Sequence, residues 1–116
     1  MSGARSYHAG LAAEDIVLRA YEATGHRLRA RRWRGLAGEI DLILDSDEGL
    51  VFVEVKAAAS HEAALHSLSP RQLSRIARAA EEYLGTLSSP GLVAMRIDLA
   101  AVDGQGRVEI VPNITA

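Results

Sequence analysis

The chain has 116 residues, 48% of them hydrophobic, no cysteine, and a formal net charge of −2. That length and apolar content suffice for one globular domain, 1–116, with a core of its own, and the absent cysteines exclude disulfides, zinc–thiolate centres and thiol nucleophiles. No apolar run approaches a membrane span and residues 1–10 lack a signal-peptide stretch, so the expected location is the cytoplasm, with no membrane partner.

Charge is unevenly placed. Residues 1–36 carry a net +4, residues 37–66 a net −6, and the remainder balances. The overall balance argues against a strong, general nucleic-acid binder. An acidic middle beside an arginine-rich segment instead suits a metal site whose anionic substrate is gripped from the side.

In chain order, residues 8–24 have a helical pattern, with Ala13, Val17, Ala20 and Tyr21 as the apolar stripe and Gly25 as a stop. Glu14 lies at the edge of that stripe and is expected to be partly buried against a sheet. As an alternative, it is a solvated acid favoured by the helix dipole. Residues 26–34 read as an edge strand that places Arg27, Arg29, Arg31 and Trp33 on one face. Residues 38–44 and 50–56 read as a hairpin around the polar turn 45–49. Residues 57–68 read as a surface connection. Ser69-Pro70 then opens a helix as N-cap and first-turn proline. Leu73, Ile76, Ala77, Ala80 and Leu84 trace its apolar face, with Arg71, Arg75 and Arg78 beside it. Two strands, 92–102 and 107–111, finish an α/β domain around the turn Asp103-Gly104-Gln105-Gly106.

Lys56 is the only lysine; every other fixed positive charge is arginine. Arginine is a planar fork that stays protonated, whereas a lysine ammonium is compact and its pKa responds to burial. Strand alternation puts Glu54 and Lys56 on one face, and the hairpin brings Asp41 alongside. Two carboxylates beside a lysine make a site for a hard divalent cation and an anionic substrate. An ordinary cross-strand ion pair is the competing account. His8, His26, His61 and His66 match no common zinc spacing. No glycine-rich phosphate loop or Ser/His/Asp arrangement stands out.

The blocks Gly10…Ala13-Glu14, Gly38-Glu39-Ile40-Asp41-Leu42-Ile43, Val51-Phe52-Val53-Glu54-Val55-Lys56, Ala79-Ala80…Tyr83-Leu84 and Arg96-Ile97-Asp98 together resemble the YraN-like proteins. That bacterial family is similar to archaeal Holliday-junction resolvases and to the PD-(D/E)XK nucleases. The resemblance runs from about residue 8 to residue 112. It implies a restriction-endonuclease-like α-β-β-β-α-β core with a central mixed sheet. It also implies catalytic roles for Asp41, Glu54 and Lys56, with Mg²⁺ or Mn²⁺ held by Glu14, Asp41, Glu54 and a backbone carbonyl near Val55.

The expected activity is water attack on a DNA phosphodiester, in branched or distorted structures. The alternative is a non-catalytic nucleic-acid-binding or assembly protein on the same fold. A phosphatase or nucleotidase is disfavoured, because nothing resembles a base-recognition pocket. Arg27, Arg29, Arg31, Arg71, Arg75 and Arg78 are the expected phosphate contacts. A homodimer would lengthen that basic track, although no sequence feature selects one. Family members usually carry an arginine where this chain has Ala58 and a lysine where it has Gln72, so the substrate grip is thinner here. Glu39 belongs to the family block, as a ligand or an ion-pair partner.

Overall fold

A computed structural model describes residues 2–88 and 93–115, the side chains of 2–9 excepted. The order is α1 (Ser2–Glu22), β1 (Arg27–Arg34), β2 (Glu39–Ser46), β3 (Gly49–Ala57), α2 (His61–His66), α3 (Pro70–Leu84), β4 (Met95–Val102) and β5 (Val108–Val111). The strands form one sheet in that same order. Only β3 and β4 run parallel, across the connection that carries α2 and α3; the other neighbours are antiparallel. This is the expected α/β mixed sheet with a restriction-endonuclease-like core, extended by β5. Leu92, which the sequence placed in the fourth strand, lies outside the described residues.

Two apolar layers sandwich the sheet. Ala13, Val17 and Tyr21 of α1 pack on Leu42, Leu44, Val51 and Val53. Ile76, Ala79, Ala80 and Tyr83 of α3 pack on Ile40, Ile43, Phe52 and Ile97. Consecutive residues of β3 therefore feed opposite cores, which explains why Leu50 to Val53 is buried without interruption. Within the second layer, the Tyr83 ring meets Trp33 and Phe52 edge-on, with centroids 5.4 and 5.8 Å apart. The α3 face is thus rotated from the one the sequence suggests: Ala79 and Tyr83 are buried, while Leu73 is only half-buried.

Local signals account for most boundaries. Ser69 caps α3 with a complete capping box to Gln72, and Pro70 follows at the start of the helix. Gly25, at φ 90°, turns the chain after α1, which begins earlier than expected, at Ser2. The segment 57–68 is not a bare connection. Ser60 caps the short helix α2, and Ala64 within it is fully buried. Six residues with two alanines carry too little apolar pattern to be read in advance.

The β2–β3 hairpin closes through Asp47 and Glu48, between the paired Ser46 and Gly49. Gly49 has φ 122°, and a Cβ there would lie 2.4 Å from the Ala94 carbonyl oxygen. The obstacle is backbone, which cannot swing aside, and the dihedral is one that side-chain-bearing residues avoid. Gly49→Ala is therefore expected to destabilise the fold by about 2–4 kcal/mol, measurable as a lower urea midpoint. An unchanged midpoint would mean that the turn relaxes freely.

At the C-terminal end, fully buried Asp98 accepts hydrogen bonds from Tyr21 Oη at 2.7 Å, Arg96 Nε at 3.0 Å and Asn113 N at 3.0 Å. Burial and this neighbouring carboxylate push the Tyr21 phenol pKa up. With its oxygens so engaged, Asp98 ties α1, β4 and the C-terminal segment together.

Candidate active site

The β2–β3 ladder runs from Ser46↔Gly49 to Leu42↔Val53 and then stops. Beyond it, Asp41 Oδ2 accepts a 2.8 Å hydrogen bond from Val55 N. A side-chain carboxylate thus occupies the place of a ladder carbonyl and holds the strands apart. The phase of the sheet changes at the same point. In β1, Arg32 takes a left-handed φ of 50°, between the pairs Arg31↔Leu42 and Trp33↔Ile40. Ile40 therefore packs under α3, whereas Leu42 and Leu44 pack under α1. Strict alternation would put all three on one face.

The opening is a cleft of about 270 Å³, bordered by Asp41, Glu54, Glu39, Arg34, Gln72 and Arg75. Asp41 and Glu54 stand close enough for each carboxyl to perturb the other's protonation. Desolvation first, and the Asp41 charge second, push the Glu54 pKa up to about 8. Asp41 is also raised by desolvation, against the opposing pull of the Val55 N–H. Lys56 Nζ lies 3.5 Å from Glu54 Oε2, with only 19% of its side chain exposed. The sheet thus gathers Asp41, Glu54 and Lys56 as the sequence spacing suggested.

Glu14 is as buried as its helix position implied, at 4% exposure, but it faces arginines. Arg32 approaches both its oxygens, at 3.2 Å through Nε and 2.9 Å through a terminal nitrogen, and Arg31 stands 3.5 Å away. Burial raises the Glu14 pKa, Arg32 opposes that rise, and the Asp41 charge adds to it. Glu14 therefore flanks the pair without joining it. Among the described residues, no three histidine or carboxylate side chains are gathered closely enough to hold a metal ion as they stand.

The pair itself fits a hard divalent cation. All its donors are oxygens, and a cation between the two half-buried carboxyls would relieve their mutual repulsion. Magnesium retains several waters, so two protein carboxylates are enough to anchor it.

The arginines divide by environment. A bulge between Leu28 and Ala30 breaks the alternation of β1. Arg27 and Arg29 both pair with Asp45, at 2.9 and 3.2 Å, and Arg29 Nε donates to Tyr83 Oη under α3. Arg31 instead reaches Glu14 and Asp15 on the α1 side. The expectation that Arg27, Arg29, Arg31 and Trp33 share a face is thereby corrected for Arg31, which the inserted residue turns to the other side, whereas Arg29 and Trp33 both meet Tyr83. Arg71, Arg75 and Arg78 are exposed on α3 and make no ion pair among the described residues.

Of these, Arg75 lines the cleft, its stem lying over Gly38, where a Cβ would come within 3.0 Å of Arg75 Cδ. Gln72 is spent at the helix start, its Oε1 accepting from Ser69 N. Glu39 proves to be an ion-pair partner, 3.3 Å from Arg34. Sequence reasoning missed Arg32 and Arg34. Both belong to the basic run 27–34, but which of its members turn toward the acids depends on the bulge and the left-handed residue. His61 hydrogen-bonds Arg107 O at 2.8 Å, with Glu109 at 3.5 Å, away from this cleft.

A mixed five-stranded sheet between two helical layers, split where an Asp, a Glu and a Lys meet, defines an α/β protein of restriction-endonuclease-like architecture. Residues 13–102, which include all four of Glu14, Asp41, Glu54 and Lys56, match the uncharacterised protein family UPF0102. The chain is 51% identical over 116 residues to a UPF0102 protein of Cereibacter sphaeroides strain KD131, covering 100% of this chain and 99% of that one. It is 50% identical over 111 residues to one of Ruegeria pomeroyi, covering 96% and 90%. A UPF0102 protein of Dinoroseobacter shibae is 47% identical over 113 residues, covering 97% and 84%. The chain belongs to the UPF0102 family, the YraN-like family that its sequence blocks resemble. Among the described residues, no helix is long and apolar enough to cross a membrane.

Proposed function

We propose that this protein is a divalent-cation-dependent endonuclease that hydrolyses phosphodiesters in DNA, with branched or distorted structures as its substrates. The observation that carries this reading is the gathering of Asp41 and Glu54 beside Lys56, in a cleft with Arg34 and Arg75 on its wall. Asp41 and Glu54 would hold Mg²⁺ or Mn²⁺, which when bound supplies Lewis acidity toward the phosphoryl oxygen.

The chain's own groups account for the rest. Lys56, as an ammonium, orients the attacking water and stabilises the negative charge that builds on the phosphoryl oxygens, while the water's proton passes to solvent and the departing alkoxide is protonated from it. Arg75, laid along the cleft without an ion pair among the described residues, holds a neighbouring phosphate and supplies the cation that Gln72 does not. The Val55 N–H fixes one oxygen of Asp41 at the edge of the cleft.

Cleavage of single-stranded, duplex, flap and four-way-junction DNA in Mg²⁺ or Mn²⁺ tests this reading. Wild type is expected to cut at least one substrate only with added cation. Asp41→Asn is expected to cut about 10²-fold more slowly or worse, with cation binding by calorimetry weakened in parallel. No cleavage under any combination would transfer the site to the non-catalytic alternative, a DNA-binding or assembly protein. Equal cation affinity for both forms would remove the ligand role of Asp41.

A further inference from the structure

Leu36, in the loop between β1 and β2, is fully exposed; among the described residues, the next most exposed large apolar side chains, Leu28 and Met95, reach only 39% and 36%. A loop leucine left to itself would fold back onto the protein. Here the backbone prevents that. Glu82 on α3 accepts from Leu36 N and from Ala37 N, both at 2.7 Å, one bond to each carboxylate oxygen. Gly35 N donates to Gly38 O at 2.9 Å and closes the loop's base. Gly35 also makes room for the clamp, because a Cβ there would lie 2.8 Å from the Glu82 oxygen. Two charge-assisted hydrogen bonds are thus spent on holding an apolar side chain out in water.

The surroundings name the partner. The loop's flanking residues, Arg34 and Gly38, border the catalytic cleft, while Leu36 and Ala37 share a shallow depression with Arg78 and Glu81. Arg75 and Arg78 carry no ion pair among the described residues. A protein-docking surface gathers several apolar side chains into one patch. A single rigid apolar side chain, with Arg78 beside it among Glu81 and Glu82 and with Arg75 in the adjoining cleft, instead suits an opened base step, with phosphates on the two arginines and the side chain between the bases.

We infer that Leu36 is a wedge that enters an unstacked base step of the DNA delivered to the Asp41–Glu54–Lys56 cleft, with Glu82 as its positioning residue. This rests on the nucleic-acid reading above and adds to it a reason for preferring branched structures. Their steps at the branch are already partly unstacked, so inserting the wedge costs less there than in continuous duplex.

The test uses the full chain in EDTA, so that binding is read without cleavage. Fluorescence anisotropy would follow a four-way junction and a continuous duplex, each carrying 2-aminopurine beside the branch or at the matching position. Wild type is expected to favour the junction and to raise its 2-aminopurine fluorescence. Leu36→Ala is expected to bind the duplex unchanged, to lose about ten-fold on the junction and to abolish the fluorescence rise. Glu82→Gln, which can accept through only one oxygen, is expected to fall between the two. If Leu36→Ala matches wild type on both DNAs, the wedge is overturned while the nucleic-acid reading stands. If Leu36→Ala instead shifts the sedimentation mass, Leu36 seats on a second copy and the wedge is likewise overturned. If wild type binds neither DNA, both readings fall together.

Discussion

Glu54→Gln is expected to stabilise the cation-free protein at pH 8 to 8.5, even though it removes a proposed ligand. Glu54 has an ordinary pKa of 4.5 and a folded value near 8. Between those two values the folded state holds a proton that the unfolded state has released. Folding stability therefore falls as pH rises through that window and is fully present only below it. Asp41 and Glu14 are shifted in the same direction and add to the slope. One pKa unit corresponds to about 1.4 kcal/mol. Relaxation and water entry reduce the full linkage value, leaving about 1–3 kcal/mol for the substitution.

For a chain of this size that corresponds to a rise in melting temperature of about 3–10 °C. Thermal melts in EDTA at pH 5 and pH 8.5 check it. Wild type should lose stability between them, while Glu54→Gln should lose distinctly less. Added Mg²⁺ or Mn²⁺ should raise the wild-type midpoint at pH 8.5, because a ligand that binds only the folded state stabilises it. The substituted protein should respond weakly. A variant less stable than wild type at pH 8.5, with the same pH slope, would show that the pair is held by contacts stronger than its mutual repulsion.

Why the pair was legible in sequence while its state was not follows from what each depends on. Strand alternation and a short hairpin suffice to bring Asp41, Glu54 and Lys56 together, and both are local. The raised Glu54 pKa arises first from desolvation, a property of packing that no spacing encodes. The start of α3 was equally readable, since Ser69 and Pro70 act within one turn. Its buried face was not, because Tyr83 is drawn inward by Trp33 and Phe52 from distant strands.

The arginine strand shows the limit most clearly. Period-two reasoning holds until one extra residue enters the ladder and turns Arg31 to the α1 side, while Trp33 again packs on Tyr83, the side of Arg29. The left-handed Arg32 between them shifts the phase a second time. Nothing about an arginine announces a positive φ, yet that residue delivers the guanidinium that occupies Glu14. The burial of Glu14 could be read from its helix; its partner could not.

Lys56→Ala is expected to leave folding and much of the cation binding intact while slowing cleavage by about 10²–10⁴-fold, the range for a positioned acid–base or charge-stabilising group. The geometry supports a role beyond a surface ion pair. Lys56 is only 19% exposed, and its 3.5 Å contact with Glu54 is long for a bond that would fully satisfy an ammonium. A solvated pair would change stability by at most about 1 kcal/mol and leave chemistry untouched. Lys56→Arg separates the accounts, because it keeps the charge. A guanidinium is planar, bulkier and unable to exchange a proton near neutral pH, so it cannot occupy the same position toward a water and a phosphoryl oxygen. Lys56→Arg should therefore bind DNA and Mn²⁺ much as wild type does and yet fail in single-turnover cleavage. Should Lys56→Arg cut at a rate near wild type, charge alone suffices at this position. The chain's single lysine would then be an ordinary partner of Glu54.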